Sequence, residues 1–229
     1  MGKGEYEEMA KRGKVIAALQ FNKQIPSNSV FEDTVGFEWQ SIGSVSLDET
    51  TVKFGQSSFR TVRNSRIRIV DNSILPSIFS NGTIEFWSLR SGDGWEGGPL
   101  YIGTDNGDDN KNFLELYVYS NMWLYHRNIT DFNVPSGWVH WAFVFKDGYL
   151  YVFLNGILSK TTKAVYNHYS TNYIWLNSAR LSSRFMDGYI DEVIITDTAK
   201  WTSNFTPPTS EYTNPYKLMN KNEDMYGII

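Results

Sequence analysis

The clearest pattern in the sequence is a run of closely spaced apolar positions over residues 137–162, GWVHWAFVFKDGYLYVFLNGILSKTT. The run is divided by the dipeptides Asp147-Gly148 and Asn155-Gly156, which supply the positive φ angles that a type I′ hairpin turn requires. It therefore predicts three antiparallel strands joined by two tight turns. Two-residue turns also fix the register, because each strand position then has one partner across the turn.

This register predicts which side chains share a face of the meander. One face is apolar and pairs Phe145 with Leu150, Phe143 with Val152, and Trp141 with Leu154. The other face is amphipathic and carries His140, Ala142, Val144, Tyr149, Tyr151 and Phe153. Such a meander belongs at the centre of a two-sheet sandwich, with its first face in the core. We expect the second face to be covered by a flanking segment or by another subunit.

Shorter strand patterns, separated by turn residues, fill most of the remaining chain. They lie at residues 15–21, 57–62, 66–70, 83–90, 101–102, 113–120, 122–128, 173–177 and 188–196. Residues 66–70 alternate basic and apolar side chains, which predicts an exposed or edge strand. A loop is expected around Pro76, and residues 5–11 are a candidate short helix. The prolines of TSNFTPPTSEYTNPY, residues 202–216, predict an extended segment rather than a central strand.

Composition and charge exclude several classes of protein. With 229 residues, of which 41% are hydrophobic and 16% aromatic, the chain can bury one sizeable core. The net charge is −4, and no Lys/Arg cluster has more than two adjacent residues. Both observations argue against a nucleic-acid partner. The absence of cysteine excludes disulfides and thiolate metal sites. No apolar run is long enough to span a bilayer, so membrane insertion is not expected.

The sequence offers no recognisable catalytic motif. Nucleophile elbows, phosphate loops and dinucleotide fingerprints are absent. The three histidines, His126, His140 and His168, lack the spacing of a metal or catalytic pair. Asp191 and Glu192 are adjacent on a strand and should face opposite ways, whereas a glycosidase needs two carboxyl groups facing one sugar. We expect one of these acids to cap backbone amides and the other to face solvent, and we expect no catalytic residue.

The order of the motifs resembles a known family. VIAALQF, FEDTVG, KFGQSSF, GTIEFW, the meander, GYIDEVIIT and WTSNFTPPTSEY follow one another as in the laminin G-like jelly rolls of the concanavalin A-like lectin/glucanase superfamily, in the form found in bacteriophage virion and tail proteins. The resemblance implies an all-β, two-sheet antiparallel sandwich over residues 15–212. Residues 1–14 would be a short flexible N-terminal arm and residues 213–229 a C-terminal tail.

The irregular stretch from Arg90 to Asn112 and the strands after it contain the candidate binding residues. Aromatic rings suited to stacking on a sugar and carboxylates suited to its hydroxyl groups occur together here, in Trp95, Tyr101, Asp105, Asp108, Trp123 and Tyr125. The alternative for the rings is ordinary core packing. Asp105, Asp108 and Asp109 are also candidate Ca²⁺ ligands, for which the alternative is a solvated hairpin tip. No other cofactor is expected.

Three classes of function follow from these observations and the resemblance. The first, which we favour, is a non-catalytic structural virion protein, such as a capsid decoration, fibre or tail-associated protein, that also binds host-surface glycans. Its partners would be other virion proteins, and the resemblance implies a homo-oligomer such as a trimer. The alternatives are a carbohydrate-binding module outside a virion and, least favoured, a glycoside hydrolase.

Overall fold

The computed structural model describes residues 13–22, 24–92, 98–104, 113–117, 121–124, 127–166, 169–178 and 185–213. These residues form sixteen strands and one short helix. In chain order the elements are β1 (Val15–Leu19), β2 (Val30–Glu32), β3 (Glu38–Gly43), β4 (Ser46–Asp48), β5 (Ser58–Thr61), β6 (Ser65–Ile69), α1 (Leu75–Asn81), β7 (Gly82–Arg90), β8 (Gly98–Thr104), β9 (Leu114–Tyr117), β10 (Asn121–Leu124), β11 (Arg127–Asp131), β12 (Val139–Lys146), β13 (Tyr149–Leu154), β14 (Ile157–Lys163), β15 (Asn172–Ser178) and β16 (Gly188–Thr196).

The strands pair into two antiparallel sheets that face each other across the core. Sheet A has the order β14-β13-β12-β7-β16-β5-β4, and β1 also pairs with β16. Sheet B has the order β11-β10-β9-β8-β15-β6-β3-β2. The predicted all-β, two-sheet jelly-roll sandwich is thereby confirmed.

The central meander has the predicted register. Strand pairing aligns Trp141 with Leu154, Phe143 with Val152 and Phe145 with Leu150. Both turns have the predicted left-handed backbone, with φ of 51° and 76° in the first and 48° and 76° in the second. The turn dipeptides were thus sufficient to define this part of sheet A.

The core lies between the sheets and is dominated by aromatic rings. Phe143, which is fully buried, packs between the rings of Trp141 and Phe86 at centroid separations of 6.1 Å each. The predicted core face of the meander is confirmed, since its apolar positions are at most 7% exposed. Sheet B contributes buried residues such as Trp39, Ile67 and Ile69 from the other side.

Two expectations about local structure were wrong. Residues 66–70 do not form an edge strand, because β6 lies inside sheet B between β15 and β3. Its alternation separates core residues from arginines on the outer face of the sheet. The loop expected around Pro76 is instead the helix α1. Proline is tolerated in the first turn of a helix, because an amide at that position has no hydrogen-bond partner within the helix. Leu75, Ile78 and Phe79 of this helix are buried.

The predicted terminal extensions fall almost wholly outside the described residues. The structure describes only residues 13 and 14 of the predicted arm and only residue 213 of the predicted tail. The candidate helix at residues 5–11 also lies outside the described part of the chain.

Candidate functional site

The outer face of sheet A is covered by the chain itself. Residues 197–213, which we call the strap, leave β16 and pass over this face without forming a strand. The rings of Trp201 and Phe205 stack at 3.7 Å and 5°, and Phe205 packs on Phe153 at 5.2 Å. Ala142, Val144 and Phe153 are fully buried beneath them. The prediction that a flanking segment covers this face is therefore confirmed for Ala142, Val144 and Phe153, whereas Tyr149, which the prediction included, is 45% exposed. The cover comes from the end of the domain.

A buried charge cluster fastens the strap to sheet A. The Glu85 carboxylate, 2% exposed, contacts Lys200 Nζ through one oxygen and His140 Nε2, at 3.2 Å, through the other. Burial alone would raise the pKa of Glu85, but the charge of Lys200 and the hydrogen bond from His140 lower it to about 2. Thr83 Oγ1 adds a hydrogen bond to the Thr198 carbonyl oxygen at 2.8 Å. His140 thus has a structural role here.

A β-bulge in β16 determines where its two acids lie. Asp191 pairs with Trp87 and Ile194 with Glu85, so β16 contains one extra residue at this point. Glu192, within the bulge, has φ of 52° and is 5% exposed. The expectation that one of the two acids faces solvent was therefore wrong. The regular alternation on which it rested does not hold across a bulge.

Asp191 caps backbone amides, as expected for one acid of the pair. Its carboxylate accepts hydrogen bonds from the amides of Lys53 at 3.0 Å, Phe54 at 3.2 Å and Glu192 at 2.9 Å. Burial raises the pKa of Asp191 to about 7, against the effect of these amides. Asp191 thereby ties the turn before β5 to the centre of sheet A.

Glu192 holds the far end of the strap. Its Oε2 accepts a hydrogen bond from the Tyr212 amide at 2.8 Å, whereas its Oε1 has no hydrogen-bond partner among the described residues. The Gln20 side-chain amide lies nearby but donates to Glu211 and to the Tyr212 carbonyl oxygen. Burial, with the charges of Asp191 and Glu211, raises the pKa of Glu192 to about 8. Both acids of the pair thus serve the fold.

The outer face of sheet B carries a different set of side chains. Strand pairing aligns one residue from each of six adjacent strands into a cross-strand row. In spatial order the row consists of Gln40, Arg68, Trp175, Tyr101 and Glu115, and the backbone of Trp123 continues it on the sixth strand. Neighbouring positions on these strands, such as Ile67 and Ile174, belong to the core. The alternation along β6 and β15 therefore directs Arg68 and Trp175 away from the core.

Trp175 is the centre of a cluster of rings and guanidinium groups on this face. Arg66 and Arg68 each lie 5.2 Å from its ring centroid, and Arg68 lies 4.3 Å from the ring of Tyr173. Arg68 Nε also donates to Gln40 Oε1 at 2.9 Å. We call these five residues the arginine–aromatic cluster. Cation–π contacts of this kind hold both the guanidinium groups and the rings in place.

The cluster presents hydrogen-bond donors and part of an aromatic ring to solvent. Trp175 is 1% exposed, so its ring is covered in this structure. Gln40, Arg66, Arg68 and Tyr173 are half-buried and form the accessible part of the cluster. An arginine supplies up to five N–H donors in a fixed plane. The surface is therefore suited to a ligand with hydroxyl or anionic oxygens and an apolar face.

The candidate binding residues from the sequence are only partly described. Tyr101 lies in the cross-strand row and is 1% exposed, with its hydroxyl group 3.4 Å from the Thr104 carbonyl oxygen. Trp123 is placed by its backbone, in register with Glu115. The remaining candidates lie outside the described residues: Trp95, Asp105, Asp108, Asp109 and Tyr125.

Sequence reasoning missed the residues of the arginine–aromatic cluster. Their local signals are present in SRIRI of β6 and NYIWLNS of β15, where polar or aromatic residues alternate with core residues. These segments pair although about a hundred positions separate them, and nothing in either indicates the other. The described residues contain no group of three His, Asp or Glu side chains that could hold a metal ion. No described helix is long and apolar enough to cross a membrane.

The sandwich and its outer faces define the class of protein as a lectin-like jelly roll. A family model described as the concanavalin A-like lectin/glucanases superfamily matches residues 63–202. The chain belongs to this superfamily. The resemblance seen in the order of the sequence motifs is thereby confirmed at the level of the superfamily. Comparison with curated proteins found no match.

Solved structures share the fold at low sequence identity. Domain 4 of AbnA, a GH43 extracellular arabinanase from Geobacillus stearothermophilus, in complex with arabinotriose, has a TM-score of 0.58 and 17% identity, over 82% of this chain and 94% of that one. The botulinum neurotoxin serotype D binding domain has a TM-score of 0.54 and 17% identity, over 82% of this chain and 49% of that one. The chain thus spans about half of the neurotoxin domain. At these identities the likeness shows the fold alone.

Proposed function

We propose that the protein is a non-catalytic carbohydrate-binding protein whose ligand contacts the outer face of sheet B at the arginine–aromatic cluster. The observation that carries this proposal is the placement of Tyr173, Arg66 and Arg68, all half-buried and each in contact with Trp175, on the outer face of the sheet. Sugars bind to such surfaces because their C–H faces pack on aromatic rings and their hydroxyl groups accept hydrogen bonds from fixed donors.

The contrast between the two outer faces supports this choice of surface. On sheet A, the central apolar positions are covered by the strap, and the charges of Glu85 and Lys200 neutralise each other. On sheet B, arginine and glutamine side chains reach the surface from internal strands. Strand positions also hold side chains more precisely than loops do, which favours recognition of a small ligand.

The use of the acidic residues supports a binding role over hydrolysis. Asp191 and Glu192 accept backbone hydrogen bonds that hold neighbouring segments, and Glu85 is bound to Lys200 and His140. A glycosidase needs two carboxyl groups on either side of one glycosidic bond. The arabinotriose complex of the arabinanase domain supports a saccharide as the class of ligand.

Replacement of Tyr173 tests the proposed surface. In a glycan array followed by titration calorimetry on the best ligand, we expect Tyr173→Ala to weaken binding about two- to tenfold, because loss of a stacked ring removes about 0.5–1.5 kcal/mol. Tyr149→Ala is the matched control, since Tyr149 is 45% exposed on sheet A. Equal affinity of both variants and the unchanged protein would place the ligand elsewhere, and absence of binding to any glycan would refute the proposal.

A role in a bacteriophage virion is a second candidate. It rests on the resemblance of the ordered motifs to virion and tail proteins, and exposed apolar side chains near one edge of sheet A support an assembly surface. Ile157 is 56% exposed, Val165 54% and Tyr149 45%, and β14 has no second neighbour among the described strands of sheet A. Ile157→Lys should reduce an oligomer measured by light scattering. Mass spectrometry of purified particles tests whether the protein is a virion component.

A further inference from the structure

We infer that the protein has a second saccharide-binding surface, on the outer face of sheet A beside the strap. We call it the lysine–aromatic surface, and it consists of Lys53, Phe54, Trp87, Trp138 and Tyr189. The ammonium group of Lys53 and the indole N–H of Trp138 donate to hydroxyl groups of a sugar that packs on the rings. This surface and the arginine–aromatic cluster lie on opposite sheets, so the inference goes beyond the proposed function and one chain would bind two saccharide segments.

Strand pairing places a row of accessible side chains on the outer face of sheet A. Tyr189 of β16 pairs with Arg60 of β5 on one side and with Leu89 of β7 on the other. These three residues are half-buried, whereas the next position on β16, Ile190, belongs to the core. The ring of Trp138, also half-buried and directly before β12, lies 6.4 Å from that of Tyr189 at an angle of 51°. Two inclined rings therefore reach the surface side by side.

The strap contacts sheet A beside this row. Its two stacked rings pack on His140, at centroid separations of 6.5 Å and 5.8 Å. His140 in turn pairs with Trp87, which is 7% exposed. Among the described residues, no hydrogen bond, ion pair or ring contact joins the strap to Trp138 or Tyr189. The strap therefore leaves the accessible parts of these two rings uncovered.

Lys53 is held over this surface by rings. Its Nζ lies 3.8 Å from the ring centroid of Trp87 and 5.1 Å from that of Phe54, and its backbone amide donates to Asp191 at 3.0 Å. Partial burial lowers the pKa of Lys53, against the effect of the Asp191 charge. Among the described residues, Nζ has no hydrogen-bond or ion-pair partner. The ammonium group thus keeps its three N–H donors available at a fixed place.

The other donors of this region differ in whether the fold uses them. The indole N–H of Trp138 has no hydrogen-bond partner among the described residues, whereas the three fully buried tryptophans each donate to an oxygen atom. Arg60, by contrast, pairs with Asp187 at 2.6 Å and packs on the ring of Tyr189 at 5.0 Å. Arg60 therefore fixes the Tyr189 ring, and the donors left for a ligand are those of Lys53 and Trp138.

The size and chemistry of the surface favour a saccharide over a protein partner. Four adjacent strands span about 14 Å, and two rows of outward positions span about 7 Å along them, which gives an area of about 100 Å². A stable protein interface needs about 800 Å² on each partner. One or two sugar units fit the smaller area, because their C–H faces pack on rings and their hydroxyl oxygens accept hydrogen bonds from N–H groups.

Fluorine NMR of the protein labelled with 5-fluorotryptophan tests the inference, because the two surfaces contain different tryptophans. Trp138 reports on the lysine–aromatic surface and Trp175 on the arginine–aromatic cluster, and the variants Trp138→Phe and Trp175→Phe assign the two resonances. The probes are tetrasaccharides of arabinose, xylose, mannose and glucose, together with the best ligand of the glycan array. We expect at least one probe to shift the Trp138 resonance in a saturable way.

Lysine variants test the assigned donor. We expect Lys53→Gln to weaken the affinity measured at Trp138 about two- to tenfold, as for the loss of one hydrogen bond, and to leave the affinity measured at Trp175 unchanged. Lys146→Gln makes the same change of net charge at the exposed far end of β12 and should alter neither affinity. Melting temperatures check that each variant is folded. Equal affinities at Trp138 in the two lysine variants would contradict the inference.

The outcomes separate this inference from the proposed function. A shift of the Trp175 resonance alone would refute the inference and support the proposed function. A shift of the Trp138 resonance alone would support the inference and count against the arginine–aromatic cluster as a binding surface. A Trp138 resonance that moves with protein concentration alone would show that a second copy covers the surface and would refute a saccharide there. If no probe shifts either resonance, both proposals are wrong.

Discussion

Glu192 should make the stability of this protein depend on pH in an unusual direction. Most buried carboxyl groups with good partners have lowered pKa values and stabilise the ionised protein. Glu192 instead has one backbone partner, Tyr212, an Oε1 without a hydrogen-bond partner, and two acids nearby. Its pKa is raised from about 4.3 in an unfolded chain to about 8 in the folded protein.

The sign and size of the effect follow from proton linkage. Between about pH 4 and pH 8 the folded protein holds a proton on Glu192 that the unfolded chain has released, so the free energy of unfolding falls as the pH rises. The full difference in pKa corresponds to about 5 kcal/mol at 1.36 kcal/mol per pH unit. Because the strap can shift or admit water once the carboxylate ionises, we expect a measured loss of about 2–4 kcal/mol from this group.

Glu192→Gln removes the titration and keeps the side-chain shape. We expect its free energy of unfolding, relative to that of the unchanged protein, to rise by about 2–4 kcal/mol between pH 5 and pH 9. Urea unfolding followed by tryptophan fluorescence at one-unit pH intervals measures this difference. Glu49→Gln, at an exposed turn, is the control and should give a difference that hardly varies with pH. A constant difference for Glu192→Gln, or one that falls as the pH rises, would refute the reasoning.

Two further variants test the packing. Phe143→Ala should lower the free energy of unfolding by about 3–5 kcal/mol, because it leaves a cavity between Trp141 and Phe86; a loss below about 1 kcal/mol in urea unfolding would contradict the core. Gly156→Ala should lower the free energy of unfolding by about 1–2 kcal/mol more than Gly148→Ala does. Both glycines have φ of 76°, but a Cβ at Gly156 would lie 2.0 Å from the Phe205 carbonyl oxygen, whereas at Gly148 the nearest atom is 3.6 Å away. Equal losses would show that the strap does not press on this turn.

The features that the sequence predicted well are those with local causes. The turn at Asn155-Gly156 requires left-handed backbone, and that requirement fixed the register of the strands beside it. Pro207 and Pro208 correctly excluded a central strand over residues 202–213, the described part of that segment. In each case the residues that determine the structure are neighbours in the chain.

The features that the sequence did not predict depend on distant contacts. The bulge at Glu192 has no local signal, because a glutamate with φ of 52° is held there by strands on both sides of β16. The pattern of β6 predicts an exposed or edge strand, because nothing in SRIRI indicates that β15 and β3 flank it. The contact of Arg68 with Trp175 likewise required the strand order of sheet B.

The different roles of the two outer faces follow from where the chain leaves the sandwich. β16 is a central strand of sheet A, so the strap that continues from it at Asp197 can reach the outer face of that sheet at once. Sheet B lies across a core about 10 Å thick. The strap therefore covers the apolar face of the meander, which would otherwise be exposed. The strap does not cover sheet B. The outer face of sheet B carries arginine, glutamine and tyrosine on internal strands, whereas the outer face of sheet A carries the apolar residues that the strap buries. The covered face thus contributes stability, and the arginine–aromatic cluster, the binding surface of the proposed function, lies on the other outer face.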